Sequence, residues 1–380
     1  MTAPSKDEVY AKVKKGLEAT PFEPSKLTQL AGGSVNFTYE AALAKPLDDG
    51  AKTVFIKHAE PYMKVRPETA LPPDLPEAYV RQTHYRGFES DRLHCITNRT
   101  PKYYSFIEDS STQILEYMTE GTTLKEFIPK YFGHATTPKE SDAREIGKTV
   151  GSWLKWIHQL TANDAEMHAI AEKNELGRFF RHMVTFTWLK DRVEQYPSVL
   201  SDAKEIFREV EQAVTSELSD TSKLQAIHGD FWTGNNTQRR NNVTLFVVDW
   251  EMVHLNVPHV DFGLMVAGFY YFWLFKSMPA GRWMMESMVE ACGPLTEEFA
   301  FRTAIQVGAH LVCVITDLNR VPTDQLEKAA ATGKEILVHA GRRIGHGLRI
   351  ATLPAFSARQ SEYKQFNQSL FKANLNGDLV

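Results

Sequence analysis

Three oxygen-bearing side chains in the second half of the chain have the types and spacing for chemistry: Asp230, Asn235 five residues on, and Asp249 nineteen residues past the first. Asp230 and Asn235 lie in Ala226-Ile227-His228-Gly229-Asp230-Phe231-Trp232-Thr233-Gly234-Asn235; Asp249 directly follows the β-type run Leu245-Phe246-Val247-Val248. That is the layout phosphoryl transfer needs. One carboxylate orients the attacking hydroxyl and accepts its proton, while an amide oxygen and a second carboxylate hold Mg²⁺ against nucleotide phosphates. The roles expected are Asp230 as catalytic base or hydroxyl-orienting group, and Asn235 with Asp249 as metal ligands. Asn236 is the alternative to Asn235; the five-residue interval favours Asn235.

His228-Gly229-Asp230 with Asn235, then Val248-Asp249-Trp250-Glu251, resembles the aminoglycoside phosphotransferase and choline kinase superfamily, small-molecule kinases with the protein-kinase fold. Within it, the runs Gly229 to Asn235 and Ile56 to Met63 resemble a fungal branch related to methylthioribose kinases, to which the hydroxytryptamine kinase of psilocybin synthesis belongs. The resemblance extends from Leu27 to Asp317 and is sharp in a few short blocks. It implies ATP and Mg²⁺ as cofactors and a small-molecule hydroxyl as acceptor. Asp261-Phe262-Gly263 spells the metal motif of protein kinases, but it lies thirty-one residues past Asp230. The resemblance gives Asp261 a scaffold role, bonding the catalytic loop and capping a helix. Glu251 stays open between assisting metal or substrate and a solvated loop carboxylate.

The elements that must position these groups begin with a helix over Asp7 to Ala19, whose apolar face is Val9, Val13 and Leu17. Lys26 to Leu43 reads as strand, glycine turn and strand, and Thr53 to Lys57 as a third strand. Gly32, Gly33 and Ser34 form a turn where backbone N–H groups can approach phosphates, because no Cβ intervenes at glycine. Lys57 closes the strand at the place where kinases carry the lysine of the α- and β-phosphates. By resemblance, a helix glutamate holds that lysine: Glu89 fits best in the helical segment Glu77 to Ile96, and Glu77 is the rival. Arg66 to Pro76, with four prolines, reads as an irregular loop insertion over the cleft mouth. Thr100 to Asp109 and Gln113 to Met118 read as two more strands. The resemblance makes Glu116 to Met118 the hinge that receives adenine.

From Thr122 the periodicity is helical, through Leu124, Phe127 and Ile128, then Ile146 to His158, Phe179 to Trp188 and Val193 to Leu218. His158 and His228 read as packing histidines. Gly263 to Phe275 is thirteen residues of apolar sequence, too short to span a bilayer, and reads as a buried helix. Its Phe269 to Phe275 stretch is either core or an aromatic wall for a flat or cationic acceptor. Glu251 and Asp317 are the carboxylates offered for an acceptor ammonium.

The chain has 380 residues, 43% of them hydrophobic, enough for two packed lobes. The expected fold is α+β and bilobal, protein-kinase-like: a five-stranded antiparallel sheet lobe over 1–119 and a larger, mainly helical lobe over 120–380. A formal charge of −4 and the lack of a basic patch argue against nucleic acid. Cys95, Cys292 and Cys313 lie far apart, as free thiols in a reducing compartment would. No signal-peptide pattern opens the chain, so a cytoplasmic protein with no membrane or obligatory protein partner is expected. Its partners are a nucleotide and a small-molecule acceptor: an amine-bearing or aromatic natural product, a choline-like alcohol or a methylthioribose-like sugar. Without an arginine before Asp230 or an A-P-E motif, a protein substrate is disfavoured. Two other classes remain: a metal-dependent hydrolase built on His228, Asp230, Asp249, His254, His259 and Asp261, and a non-catalytic nucleotide-binding scaffold.

Overall fold

The structure, a computed structural model, describes residues 4–33, 35–71, 96–119, 121–133, 139–234, 236–239, 243–315 and 323–350. Helix α1 (Lys6–Leu17) starts in a capping box, in which Glu8 N–H donates to the Ser5 hydroxyl and Ser5 N–H to the Glu8 carboxylate. It stops short of Ala19, which takes a left-handed φ of 58°. Val9, Val13 and Leu17 are buried against the first sheet, at about 1.5–3 kcal/mol each.

The strands of the first part are β1 (Pro24–Gln29), β2 (Phe37–Leu43), β3 (Thr53–His58), β4 (Tyr62–Met63), β5 (Arg66–Ala70), β6 (Ile96–Arg99), β7 (Tyr103–Ile107) and β8 (Thr112–Glu116). Five of them make the expected antiparallel sheet, in the order β1-β2-β3-β8-β7. Lys57 lies in β3 opposite Thr38 on one side and Gln113 on the other, so both neighbours fix its height in the sheet.

Two readings need correction. Arg66 to Ala70 is regular structure: β5 pairs with β4, Tyr62 opposite Ala70 and Met63 opposite Arg66, with an irregularity between. Pro67 is tolerated because a two-stranded ribbon has open edges where no N–H is required. Ile96, read as a helix end, is strand: β6 runs parallel to β12 (Val243–Val247), Ile96 opposite Val243. That pairing joins sequence more than 140 residues apart, beyond the reach of local periodicity. β9 (Thr122–Thr123) and β11 (Asn236–Arg239) complete this second, four-stranded sheet.

The remainder is mostly helical. Helices Glu140–Thr161 and Pro279–Cys292 approach backbone to backbone: a Cβ at Gly147 would lie 2.0 Å from the Met284 carbonyl oxygen. The expected helix over Val193 to Leu218 is broken, because Pro197 forces Tyr196 out of helical geometry (φ −122°, ψ 58°). His259–Phe275 is buried over most of its length, and Phe269, Tyr270, Phe272 and Phe275 belong to the main core rather than to an acceptor wall. Another helical stretch, Glu297–Ile315, is long and apolar enough to cross a membrane; 72% of its most apolar window is buried inside the protein, which marks a core helix. Cys292 and Cys313 are free thiols that burial pushes up to about 12, and Cys95 lies outside the described residues.

Candidate active site

Strand β10 (Gln225–Ile227) pairs with β13 (His254–Asn256), and the chain between them carries the candidate residues. Gly229 turns the loop at φ 79°; a Cβ there would sit 2.2 Å from the Met252 carbonyl oxygen, so only glycine fits. The loop is held from below by Asp261. Its carboxylate accepts from His228 N–H and Gly229 N–H, both at 2.8 Å, and bonds the His158 ring at 3.1 Å. Burial raises this carboxyl, but the His158 and His228 contacts outweigh it and hold Asp261 below the usual aspartate range. Asp261 thus bonds the loop, as its scaffold role requires. It does not cap the helix, which starts at His259 after Pro258, but sits in the first turn where its charge faces the positive dipole end.

His228 ties the two candidate loops together. Its Nδ1 accepts from Asp230 N–H at 3.3 Å, and its Nε2 meets the Val248 carbonyl at 2.9 Å, so Nε2 carries the proton. The Asp230 carboxylate is 39% exposed, and Arg181 Nη1 stands 3.9 Å from it. Arg181 is buried; it also donates to the Gly229 carbonyl and to the Thr185 hydroxyl, both at 3.3 Å. Sequence reading passed over this arginine. The available signal was its position on the apolar stripe with Gly177 and Phe180, where a solvated arginine does not belong.

Asp249 has the left-handed backbone φ 64°, ψ 55°, uncommon for a residue with a Cβ and a mark of local strain at functional turns. Lys57 Nζ, from strand β3 of the first sheet, reaches both Asp249 Oδ1 and Glu251 Oε2 at 2.6 Å. Asn36 Nδ2 donates to the second oxygen of Glu251 at 3.3 Å. Burial pushes the Asp249 carboxyl up, but Lys57 reverses this and leaves it low; in Glu251 burial and the Asp249 charge prevail over Lys57 and leave it high. Glu251 is therefore neither a solvated loop carboxylate nor open to an acceptor ammonium. Asp249 keeps 45% of its side chain exposed, and its hard carboxylate oxygens suit Mg²⁺.

Among the nucleotide-site candidates, Gly32 and Gly33 turn at φ 95° and 72°. The Glu116 carboxylate pairs in a fork with Arg99, at 2.6 and 2.5 Å; its N–H donates to the Lys102 carbonyl, and the Met118 carbonyl accepts from Gly121 N–H. Ser34, Glu89, its rival Glu77, Asn235 and Asp317 lie outside the described residues. The hydrolase cluster does not converge. His254 bonds the Met252 carbonyl and Asn256, Asp261 bonds backbone, and among the described residues no group of three or more His, Cys, Asp or Glu side chains is placed to hold a metal.

The antiparallel sheet sets Lys57 against the two carboxylates that follow β12, next to the glycine-turned loop of Asp230 and on a mainly helical body. Residues 99–282 match the phosphotransferase enzyme family (APH), and the chain carries a domain of that family and is a phosphotransferase. It is 26% identical over 355 residues to the phosphotransferase FrzJ of Cladobotryum sp, covering 87% of this chain and 92% of that one. It is 23% identical over 307 residues to the 4-hydroxytryptamine kinase of Psilocybe cyanescens, covering 76% of this chain and 80% of that one. A choline/ethanolamine kinase family protein from Mesorhizobium loti superposes with a TM-score of 0.46 at 15% identity, covering 88% of this chain and 99% of that one.

Proposed function

We propose that the protein transfers the γ-phosphoryl group of ATP, with Mg²⁺, to a hydroxyl of a small metabolite, residues 1–119 forming the nucleotide lobe and 120–380 the catalytic and acceptor lobe. The observation that carries this is Lys57, held at 2.6 Å from both Asp249 and Glu251 across the cleft beside the Asp230 loop. A buried lysine fixed by two carboxylates is aimed rather than free, which is what binding of the α- and β-phosphates asks.

In this reading Asp230, at the cleft and oriented through His228 and Arg181, bonds the acceptor hydroxyl and takes its proton as the oxygen attacks the γ-phosphorus. The bond between that phosphorus and the β–γ bridging oxygen breaks, and ADP leaves. Mg²⁺ held by Asp249 and Asn235 supplies charge neutralisation at the phosphates. Gly32, Gly33 and Ser34 approach the phosphates by backbone, and the Glu116 to Met118 segment receives adenine. Glu89 remains the helix carboxylate proposed for Lys57. Asp261 positions the loop and makes no contact with substrate. The acceptor class that the 4-hydroxytryptamine kinase relationship supports is an aromatic or amine-bearing alcohol, with choline-like alcohols and methylthioribose-like sugars beside it; Asp317 is the carboxylate left for an ammonium.

The test is an ATP/Mg²⁺ consumption screen over hydroxytryptamines, choline, methylthioribose and aminoglycosides, with products read by mass. A product heavier by one phosphoryl group establishes the reaction. No product across the panel, together with no ATP-dependent thermal shift, refutes it.

A further inference from the structure

The two-residue turn Lys64-Val65 joins β4 to β5 and lies against the glycine turn. Lys64 N–H donates to the Val35 carbonyl at 3.0 Å, and its ammonium donates to the Gly32 carbonyl at 2.5 Å. One residue therefore holds both ends of the turn that the nucleotide phosphates would approach. The ribbon is itself anchored: Met63 and Leu71 pack with Val35, Phe180 and Met252, linking the glycine turn to the helical body. An added Cβ at Gly32 would meet nothing within 4 Å, so that side of the turn is open.

Charge gives the arrangement its meaning. Lys57, the expected phosphate lysine, already faces two carboxylates, so this trio brings no excess positive charge to a polyphosphate. Lys64 has no carboxylate partner among the described residues; its ammonium rests on a neutral carbonyl. Burial, with a smaller push from Lys6, holds it below the usual lysine range. An ammonium donating to phosphate oxygen makes a charge-assisted bond, stronger than one to a peptide carbonyl.

We propose that Lys64 is a phosphate-binding residue of this site: its ammonium exchanges the Gly32 carbonyl for a phosphate oxygen of the bound nucleotide, while its N–H keeps Val35 in place. The inference rests on the cleft being a nucleotide site. It gives the β4–β5 ribbon a task, carrying a cation to a glycine turn that has none of its own.

The experiment compares the full-length wild type with K64M, K64Q and K64R by calorimetric titration with MgATP and, separately, adenosine. Loss of one charge-assisted bond corresponds to about a tenfold to hundredfold weaker MgATP affinity in K64M. Adenosine affinity should be unchanged, K64R should stay close to wild type, and K64Q, which keeps a donor for Gly32 without the charge, should behave as K64M. MgATP affinity in K64M and K64Q equal to wild type overturns the proposal. So does an equal loss for adenosine and MgATP, which would make Lys64 a loop support only. If wild type binds neither ligand, the nucleotide reading itself falls, a result distinct from wild-type binding that the Lys64 variants leave untouched.

Discussion

Asp261→Asn tests the loop anchor most directly. In the wild type, one carboxylate oxygen accepts from Gly229 N–H and the other from His228 N–H, each at 2.8 Å, with His158 on the second. The amide keeps one acceptor and turns an NH₂ toward a donor on the other side. At least one bond to a charged acceptor is lost, about 1.5–3 kcal/mol, and a buried N–H is left facing a donor, about 1–3 kcal/mol more. The sum, about 2.5–6 kcal/mol, lowers Tm by about 3–12 °C at about 1–2 °C per kcal/mol for a chain of this size. Amide exchange at His228 and Gly229 should speed up while exchange in the first sheet stays as it was. The effect has a sign in pH. Asp261 is depressed in the folded state, so its stabilisation is present above the unfolded value of about 4 and is lost as pH falls through the folded value. The Tm gap between wild type and variant therefore narrows in acid and is full at neutral pH. A variant with wild-type Tm at pH 7 and unchanged exchange at both amides would refute the anchor.

Asp230→Ala should abolish phosphoryl transfer to the acceptor found by the screen while MgATP affinity by titration stays within a few-fold of wild type; retained transfer would remove Asp230 from the chemistry. Lys57→Met should weaken MgATP binding and lower stability by about 2–4 kcal/mol in denaturant unfolding, since it leaves Glu251 buried without its cation. Adding Glu251→Gln should restore much of that stability without restoring activity, and recovery of both would show that Lys57 serves the fold alone. Gly229→Ala puts a Cβ 2.2 Å from the Met252 carbonyl at φ 79°, so turnover should fall about a hundredfold from misplacement of the neighbouring Asp230; wild-type turnover would mean the loop can shift freely.

Local signals located much of this arrangement. A carboxylate after an apolar run, a lysine ending a strand and a glycine pair between strands are short-range patterns, and Asp249, Lys57 and Gly32-Gly33 stand on the elements expected for them. Asp261 and Asp249, told apart by spacing, also occupy different places: one bonds the loop backbone and the other meets Lys57 of the first sheet. What escaped is set by distant contacts. Arg181 acts on a loop nearly fifty residues away, His158 on a carboxylate more than a hundred away, and β6 pairs with a strand that follows the Asp230 loop. Periodicity places a side chain on a face but does not name what the face meets. The β4–β5 ribbon was lost for another reason, because proline density outweighed a pairing that only four residues define.

The hydrogen bonds around Asp230 fall into two sets with different consequences. Beneath the loop, Asp261 and Arg181 bind backbone groups of His228 and Gly229, His158 braces the Asp261 carboxylate, and these bonds form when the helical body folds. Damage there lowers Tm and turnover together, since the same bonds hold the fold and aim the carboxylate. Lys57, Asp249, Glu251 and Asn36 join two parts of the chain through side chains alone, and the Lys64 ammonium, resting on the Gly32 carbonyl within the first part, is likewise a side chain on which nothing else among the described residues is built. Such side-chain bonds can be exchanged for phosphate oxygens without unfolding anything. Variants at the cleft should therefore change nucleotide affinity far more than they change Tm once the buried charge of Glu251 is balanced, which is why Lys57→Met needs its Glu251→Gln companion while Lys64→Met needs none.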